Sequence, residues 1–527
     1  MQNLFLRLGA LLPRASATTC CSRIRLSRLG STAANATAVA ASDRRPTRDQ
    51  RIQTLKALGI QAYPRYTAPP AEFPLMDIHH VHEQWDSTLE DGAKLEDEQL
   101  SVQGRIHSKR EASKRLFFID LEQNGQTVQI AVSLQRNSGG GMEDAESFAK
   151  HYRALLVGDI VRASGFVGKT NTGETSVFVT RPMELLTPCL RIIPSRSGLV
   201  DIEKRFRTRH LDMLVNPHVK HALVVRAKVL SFIRGFLSSR QFVEVETPIL
   251  SPTVGGASAR PFTTRSVAFG DTELFMRVAP ELFLKQLVIG GMDRVYEIGK
   301  QFRNEGIDAD HNPEFTTCEF YQAYATLDDL LQTTEEMLRG LVQTIAGSFK
   351  IRVESPPSGS SHQQQQHHDV IDFAPPFRRI NVTELLRQRA PDLPADLNDP
   401  SAIPAIKAVL IAQRIPLPSP ATLPRLLDRL ISHYIEPECT QPTFLVSHPS
   451  IMSPLSKPAD SQNTTSARFE LFVNRVELVN AYEELNDPFT QRKNFSLQAG
   501  EKDAGDDEIP APDSAFCDAL EYALPPT

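Results

Sequence analysis

Between residues 99 and 187 the sequence passes through five short β-like runs, with one helix-like stretch between the third and the fourth. LSVQGRIHS, RLFFIDL, TVQIAVS, DIVRASGFVG and SVFVTRPMELL supply the strands, and Met142 to Tyr152 supplies the helix. Gly, Asn and Ser turns separate them. Few folds accommodate five short strands interrupted in this way, and the pattern points to a small Greek-key barrel. Another β-barrel or a sandwich stays open on this pattern alone. Phe117 and Phe118 are adjacent, so one ring faces the core and the other faces outward.

A five-stranded barrel with its helix in that place is of the OB type. It accounts for only part of 527 residues, a length that suits about three domains. The chain divides into residues 1–43, an irregular and helical extension over 44–98, the barrel over 99–190, a basic linker over 191–215, and a mixed region over 216–527. In the extension, Asp49 to Leu58 reads as a short helix and residues 72–98 as acidic and irregular. Val219 to Ser239 and Leu327 to Phe349 read as long helices, and FVEVETPIL as a strand that stops at Pro248. Residues 353–368 are a low-complexity insertion in which a solvated polar loop outweighs metal binding by His362, His367 and His368. The fold class expected is α+β: a barrel followed by a mostly antiparallel domain.

Charge narrows the function. The formal net charge is −5, yet residues 1–42 contain five arginines and no acid. The remainder carries 53 basic against 63 acidic residues, so any nucleic-acid contact rests on local basic patches. Leu4, Phe5, Leu8, Leu11 and Leu12 share one helical face in that acid-free leader. This is the profile of a mitochondrial transit peptide over residues 1–43, with a cytoplasmic location as the alternative. No apolar run reaches the ~18 residues of a membrane span. The six cysteines are scattered, form no paired C-x-x-C, and suit a reducing compartment.

Two segments concentrate chemistry. FRNEGIDADHNPEF brings Arg303, Glu305, His311 and Asn312 into one loop between strand-like runs, able to offer an arginine to a phosphate. RFELFVNRVELVNAYEELND reads as a hairpin with Glu470 and Glu477 on adjacent strands and Asn480 and Glu484 beyond. Two such carboxylates suit a hard cation such as Mg²⁺ shared with phosphate oxygens. A polar hairpin with internal salt bridges, or a pair of exposed strand carboxylates, remains open for each segment taken alone.

Together with the barrel, these segments resemble the lysyl-tRNA synthetases, class II aminoacyl-tRNA synthetases with an N-terminal OB-fold anticodon-binding domain. The resemblance covers about residues 45–527. AKVLSFIRGFLSSRQFVEVETPIL resembles the first motif, a helix and strand that form a homodimer interface ending at Pro248. GGASARPF and the stretch from MRVAPELF to FYQAYA resemble the second motif, and RFELFVNRVELVNAYEELND resembles the metal- and substrate-binding strands.

The resemblance implies roles residue by residue. Arg303 would grip the α-phosphate of ATP and offset charge in the transition state. Glu305 and His311 would lie on the adenine and γ-phosphate side, Asn312 would hold the adenine, and Phe315 would stack under it. Glu470 and Glu477 would be Mg²⁺ ligands. Lysine would place its α-amino group near Gly256 and Glu281 or Glu319, its carboxylate near Asn480, and its ε-ammonium at Tyr321 and Glu484. In the barrel, Phe118 and Gln129 would meet an anticodon uridine of the lysine tRNA, with Arg110 and Glu174 making further base contacts. Arg105, Lys109, Lys114 and Arg115 would add a local positive field.

Two departures from the family are visible. Arg240–Gln241 stands where a glycine usually follows the first-motif helix. A third motif, a Gly-rich strand and helix with an ATP-binding arginine, would follow LEYALPPT, and the sequence stops at Thr527. The expectation is a C-terminally incomplete catalytic domain, inactive or poorly folded as written, from an incomplete or mis-spliced gene model. The alternative function is a catalytically dead, synthetase-derived tRNA-binding protein. A relative specific for aspartate or asparagine would want cations where Glu281 and Glu484 stand. A relative that lysylates protein lacks the barrel.

Overall fold

The computed structural model describes residues 46–137, 144–194, 199–307, 311–354, 368–503, 505–506 and 508–527. The expected transit segment and most of the low-complexity insertion, residues 355–367, lie outside the described residues. The described chain forms two compact units, residues 46–220 and 221–527.

The first unit opens with α1 (Arg48–Ala57), whose first turn is fixed by a reciprocal capping box between Thr47 and Gln50. Residues 72–98 are not irregular as expected. Ile78, Val81 and Trp85 share one helical face and are buried, and they form α2 (Ile78–Trp85). Three histidines on its other side obscure that period in the sequence.

The barrel strands are β1 (Lys94–Ser113), β2 (Leu116–Gln123), β3 (Gln126–Ser133), β4 (Ile160–Lys169), β5 (Thr175–Val179) and β6 (Glu184–Thr187), with α3 (Ala145–Ala154) between β3 and β4. β1 pairs with both β2 and β4, and β3 runs parallel to β5. The circuit β1-β2-β3-β5-β4 therefore closes, as an OB barrel does. The last sequence run supplies two strands rather than one, because Arg181 and Pro182 break it and β6 adds to the outside of β4. Phe117 is fully buried, while Phe118 is half-buried on the outer face.

The basic linker folds into α4 (Ile202–Arg207) and α5 (Arg209–Val215), where Arg205 and Arg209 both bind the buried Asp212.

The second unit begins along α6 (Pro217–Ser239), whose Val225, Val229, Ile233 and Leu237 recur every fourth position and are buried. They pack on Met337, Leu338 and Leu341 of α8 (Leu327–Ala346) and on sheet residues that include Phe444 and Phe469. The strand after α6 is shorter than expected. Only β7 (Val243–Glu244) pairs, parallel to β11 (Arg294–Phe302). Beyond it Thr247 is drawn to Glu297 by a 2.6 Å hydrogen bond, and Pro248 has no N–H to extend a ladder. The chain then turns into β8 (Leu250–Ser251), which joins β10 (Thr272–Met276), itself paired with β9 (Thr263–Ser266). α7 (Glu281–Ile289) leads into β11, which pairs antiparallel with β12 (Glu314–Gln322).

β13 (Lys350–Glu354) and β14 (His368–Asp372) form an antiparallel pair on either side of the low-complexity insertion. β15 (Arg378–Asn381), β16 (Thr443–Val446), β17 (Arg468–Val473) and β18 (Val476–Tyr482) form a second sheet, with β15 parallel to β16 and the rest antiparallel. Between β15 and β16, sequence patterning offers no assignment. There α9 (Val382–Arg389), α10 (Ile403–Ala412) and α11 (Leu423–Tyr434) bury their own leucine-rich core. After Glu484 the chain is helical: α12 (Pro488–Asp503) precedes a short helix, α13 (Ser514–Leu520).

Candidate functional site

Residues of β12, β18, α7 and the loop before β12 surround a cavity of about 680 Å³ in the second unit. Its wall includes Gly256, Glu281, Arg303, His311, Glu319, Tyr321, Glu477, Asn480 and Glu484, nine of the positions singled out from sequence. Glu305, Asn312, Phe315 and Glu470 are not on that wall.

α7 places the acidic end of the cavity. Glu281 heads this helix and is buried at 6% exposure. Gly256 lies against it with φ +86°, and a Cβ there would stand 3.0 Å from that of Glu281. A side chain would be strained by the dihedral as well as by the contact. The Tyr482 hydroxyl donates to Glu281 Oε1 at 2.6 Å, and Tyr321 donates to Glu319 Oε2 at 3.3 Å. Burial, then the charge of Glu281, pushes the Glu319 carboxyl up to about 7. Burial raises Glu484 as well, outweighing the pull of its cationic neighbour.

That neighbour is Lys285, which sequence reasoning missed. It sits one helical turn after Glu281, fully buried, with Nζ 2.6 Å from Glu281 Oε1 and in contact with Glu484 Oε2. Burial opposes its charge, but Glu281 and Glu484 together outweigh that and hold the ammonium above its ordinary range. The i, i+4 spacing from Glu281 was visible in the sequence; the approach of Glu484 was not.

At the other end, β17 and β18 meet at a two-residue turn, Asn474–Arg475, with both residues at positive φ as a type I′ hairpin turn requires. Glu470 faces Asn480, whereas Glu477 faces Phe472. The expected carboxylate pair is therefore diagonal rather than directly opposed. Arg468 and His448, also missed from sequence, both bind Glu470. Burial works against the charge on Glu470, but these two partners outweigh it and hold its carboxyl down to about 2. Arg468 also donates to Asn480 Oδ1 at 3.0 Å, which leaves the Asn480 amide as a donor toward the cavity. Glu477 is exposed where it opens onto the cavity, and protein surrounds it on its other sides and thins its hydration. This desolvation, with the charge of Glu470, pushes its carboxyl up to about 7.

Among the described residues no group of three or more His, Cys, Asp or Glu is arranged to hold a metal alone. Two neighbouring carboxylates, one ionised and one short of positive charge, fit an Mg²⁺ ion that completes its shell from phosphate oxygens and water. Arg303 lies with its guanidinium 5.2 Å from the Phe315 ring and its Nε bound to the Val278 carbonyl. Glu305 is half-buried, and burial raises its carboxyl. Asn312 is exposed.

On the barrel, the four expected residues share one outer face. Arg110 pairs in register with Phe118 and lies 4.6 Å from its ring centre. Gln129 donates to Glu174 Oε2 at 3.0 Å, and its own Oε1 accepts from Ser176. The expected basic field needs correction. Lys109 is turned onto the carbonyls of Tyr152 and Leu155 at the end of α3, and Arg105 onto that of Gly158. Both satisfy backbone acceptors there, and burial lowers Lys109 to about 8.

Known families match both units of the chain. Residues 201–527 match the family described as tRNA synthetases class II (D, K and N), and residues 100–186 match the OB-fold nucleic acid binding domain. The lysine–tRNA ligase cla4 of Cladosporium cladosporioides is 43% identical over 448 residues, covering 83% of this chain and 73% of that protein. The probable cytoplasmic lysine–tRNA ligase of Encephalitozoon cuniculi is 44% identical, covering 80% and 81%. The mitochondrial lysine–tRNA ligase of Schizosaccharomyces pombe is 39% identical, covering 91% and 87%. With an OB barrel before a class II catalytic unit and this degree of identity, the chain belongs to the class II tRNA synthetases of the D, K and N group, and within them to the lysine–tRNA ligases.

Proposed function

We propose that this chain activates L-lysine with ATP and transfers it to a lysine tRNA. The observation that carries this reading is the acidic end of the cavity, where Glu281, Glu319 and Glu484 converge with Tyr321. Buried carboxylates are costly unless cations meet them. Lysine brings two, its α-ammonium to Glu281 or Glu319 beside Gly256, and its ε-ammonium to Glu484 and Tyr321. Uncharged analogues leave those carboxylates unpaired and are rejected. The full acidic set supports the enzyme over a dead tRNA-binding relative.

No protein nucleophile is needed. The Asn480 amide orients the lysine carboxylate for in-line attack on the α-phosphate, and Arg303 stabilises the charge that develops there. Phe315 and Asn312 hold the adenine, with Glu305 and His311 on the adenine and γ-phosphate side. Glu470 and Glu477 would hold Mg²⁺, which supplies charge neutralisation to the departing pyrophosphate. The terminal ribose hydroxyl of the tRNA then attacks the lysyl-adenylate. Phe118, Gln129, Arg110 and Glu174 read the anticodon, with Phe118 as the stacking platform.

The protein works as a homodimer in the mitochondrial matrix. Leu223 and Val224 on α6, with Val243, Ile249 and Leu250, supply the exposed apolar surface for the partner copy. The arginine-bearing residues 1–43, free of acid before Asp43, supply the address. The test is ATP–pyrophosphate exchange by the full chain. Exchange stimulated by L-lysine and not by aspartate or asparagine is expected, and lysine-independent exchange overturns the reading. Light scattering tests the dimer, and the destination of a fluorescent protein carrying residues 1–43 tests the address.

A further inference from the structure

Lys285 stands behind the acidic end of the cavity, bound to two of its carboxylates, and has no task in the reaction above. It is completely buried on α7, bridges Glu281 and Glu484, and has the rings of Tyr482 and Phe516 at 5.6 and 5.7 Å. A lysine so enclosed is not a surface cation that found a partner. Its ammonium is held where the pocket's own carboxylates converge, and a buried cation persists only where such partners compensate it.

Resting on the lysine–tRNA ligase reading, we infer that Lys285 is a specificity-determining positioning residue that sets the pocket charge to two negative units, so that only a substrate bearing two ammonium groups neutralises it. Glu281, Glu319 and Glu484 bring three negative charges when ionised, and Lys285 removes one. The α- and ε-ammonium groups of lysine supply the two that remain. Lys285 also engages one oxygen of Glu484, which presents the carboxylate to the ε-ammonium from a fixed position. Without Lys285, three carboxylates face two ammonium groups in a desolvated site, and one of them takes a proton. A protonated Glu484 distinguishes an ammonium from a methyl group poorly. The role works through Glu281 and Glu484, and Lys285 itself need not touch substrate.

Equilibrium binding of L-lysine and of L-norleucine, which lacks the ε-ammonium, tests this on the full chain without relying on turnover. In Lys285→Met the preference for lysine over norleucine should fall at least about tenfold, the effect of one pKa unit on the pocket. Lys285→Arg should keep the preference. The double variant Lys285→Met/Glu281→Gln restores the two-unit charge and should recover most of it. It also replaces a buried pair together, so it keeps the test alive should the single variant not fold. A merely structural lysine gives the opposite pattern: both amino acids weaken alike in Lys285→Met, and the double variant is no better. That result overturns the inference. Failure of the wild-type chain to bind lysine overturns the functional reading instead.

Discussion

Glu477 pairs across its hairpin with Phe472, not with Glu470, because the register shifts by one residue near Leu478. The shift sets the two carboxylates diagonally, close enough for the charge on Glu470 to act on Glu477. Glu470 is ionised at any working pH, while Glu477 titrates near 7. A raised carboxyl contributes stability that is complete below its unfolded value near 4.5 and is lost as pH rises through 7. Without ligands, the melting temperature of the wild type should therefore drop more between pH 5 and pH 8 than that of Glu477→Gln. Mg²⁺ with ATP should raise the wild-type melting temperature more at pH 8 than at pH 6, since a proton competes with the ion at the lower pH. Equal Mg²⁺ effects at both values would count against a shared ion at this pair.

Lysine binding should carry its own pH dependence. Glu319 must be ionised to receive an ammonium, and its carboxyl stands near 7 because of burial and Glu281. Lysine affinity is therefore expected to rise between pH 6 and pH 8. Glu319→Gln should make that profile shallower, leaving the share that belongs to Glu484, whose carboxyl burial also raises. Glu484→Gln should weaken lysine by on the order of a hundredfold, because a buried ammonium loses its ionic partner. Calorimetric titration across the pH range checks both, and an unchanged slope in Glu319→Gln would assign the rise to another group.

Two adjacent phenylalanines should part company. Phe117 is fully buried and packs on Phe148 and Tyr152, so Phe117→Ala should cost about 3–5 kcal/mol of stability. Phe118 faces outward under Arg110. Phe118→Ala should leave the melting temperature nearly unchanged and weaken tRNA binding by ~1–3 kcal/mol, the usual worth of one stacked base. Denaturation and filter binding on the two variants separate these effects.

Periodicity and resemblance carried most of this molecule. The barrel runs, α6, α8 and the β17–β18 hairpin each announce themselves by alternation or by a fourfold repeat. Pro182 breaks the last run, but the β-branched residues before it and the leucines after it read as one strand, so five runs stand for six strands. α12 escaped because its apolar residues Phe489, Phe495 and Leu497 do not mark a clean face, two of them being exposed. Lys285, His448 and Arg468 escaped for a different reason. Their meaning lies in partners brought near by tertiary packing or cross-strand register, which no local pattern encodes.

Arg51 illustrates such a long-range bond in the first unit. It reaches from α1 to Asp159, with Nη2 2.6 Å from Oδ2 and both side chains buried. Asp159 also accepts the N–H groups of Leu156 and Cys189, each at 2.7 Å. Arg51→Met should cost about 3 kcal/mol, near the lower end for breaking a buried pair, because two backbone donors still satisfy the carboxylate. Asp159→Ala should cost more, since the buried guanidinium keeps only the Ala154 carbonyl and the Leu156 and Cys189 N–H groups lose this acceptor. Urea denaturation followed in the full chain checks the order, and a milder effect of Asp159→Ala would refute it.

The glycine missing after α6 has a measurable consequence. Gln241 adopts φ +66° where the helix ends, with the Phe242 N–H donating to the Leu237 carbonyl and the Gln241 N–H to that of Ser238. That is the left-handed closing position of a helix, which glycine occupies without steric cost and a residue with a Cβ does not. The Gln241 side chain is exposed and makes no contact that glycine would forfeit among the hydrogen bonds described. Glycine is more flexible in the unfolded chain, which offsets part of the gain. Gln241→Gly should therefore stabilise the second unit by about 0.5–1 kcal/mol, read as a higher denaturation midpoint at unchanged slope. A lower midpoint would show that the glutamine side chain holds this turn in a way its geometry does not reveal.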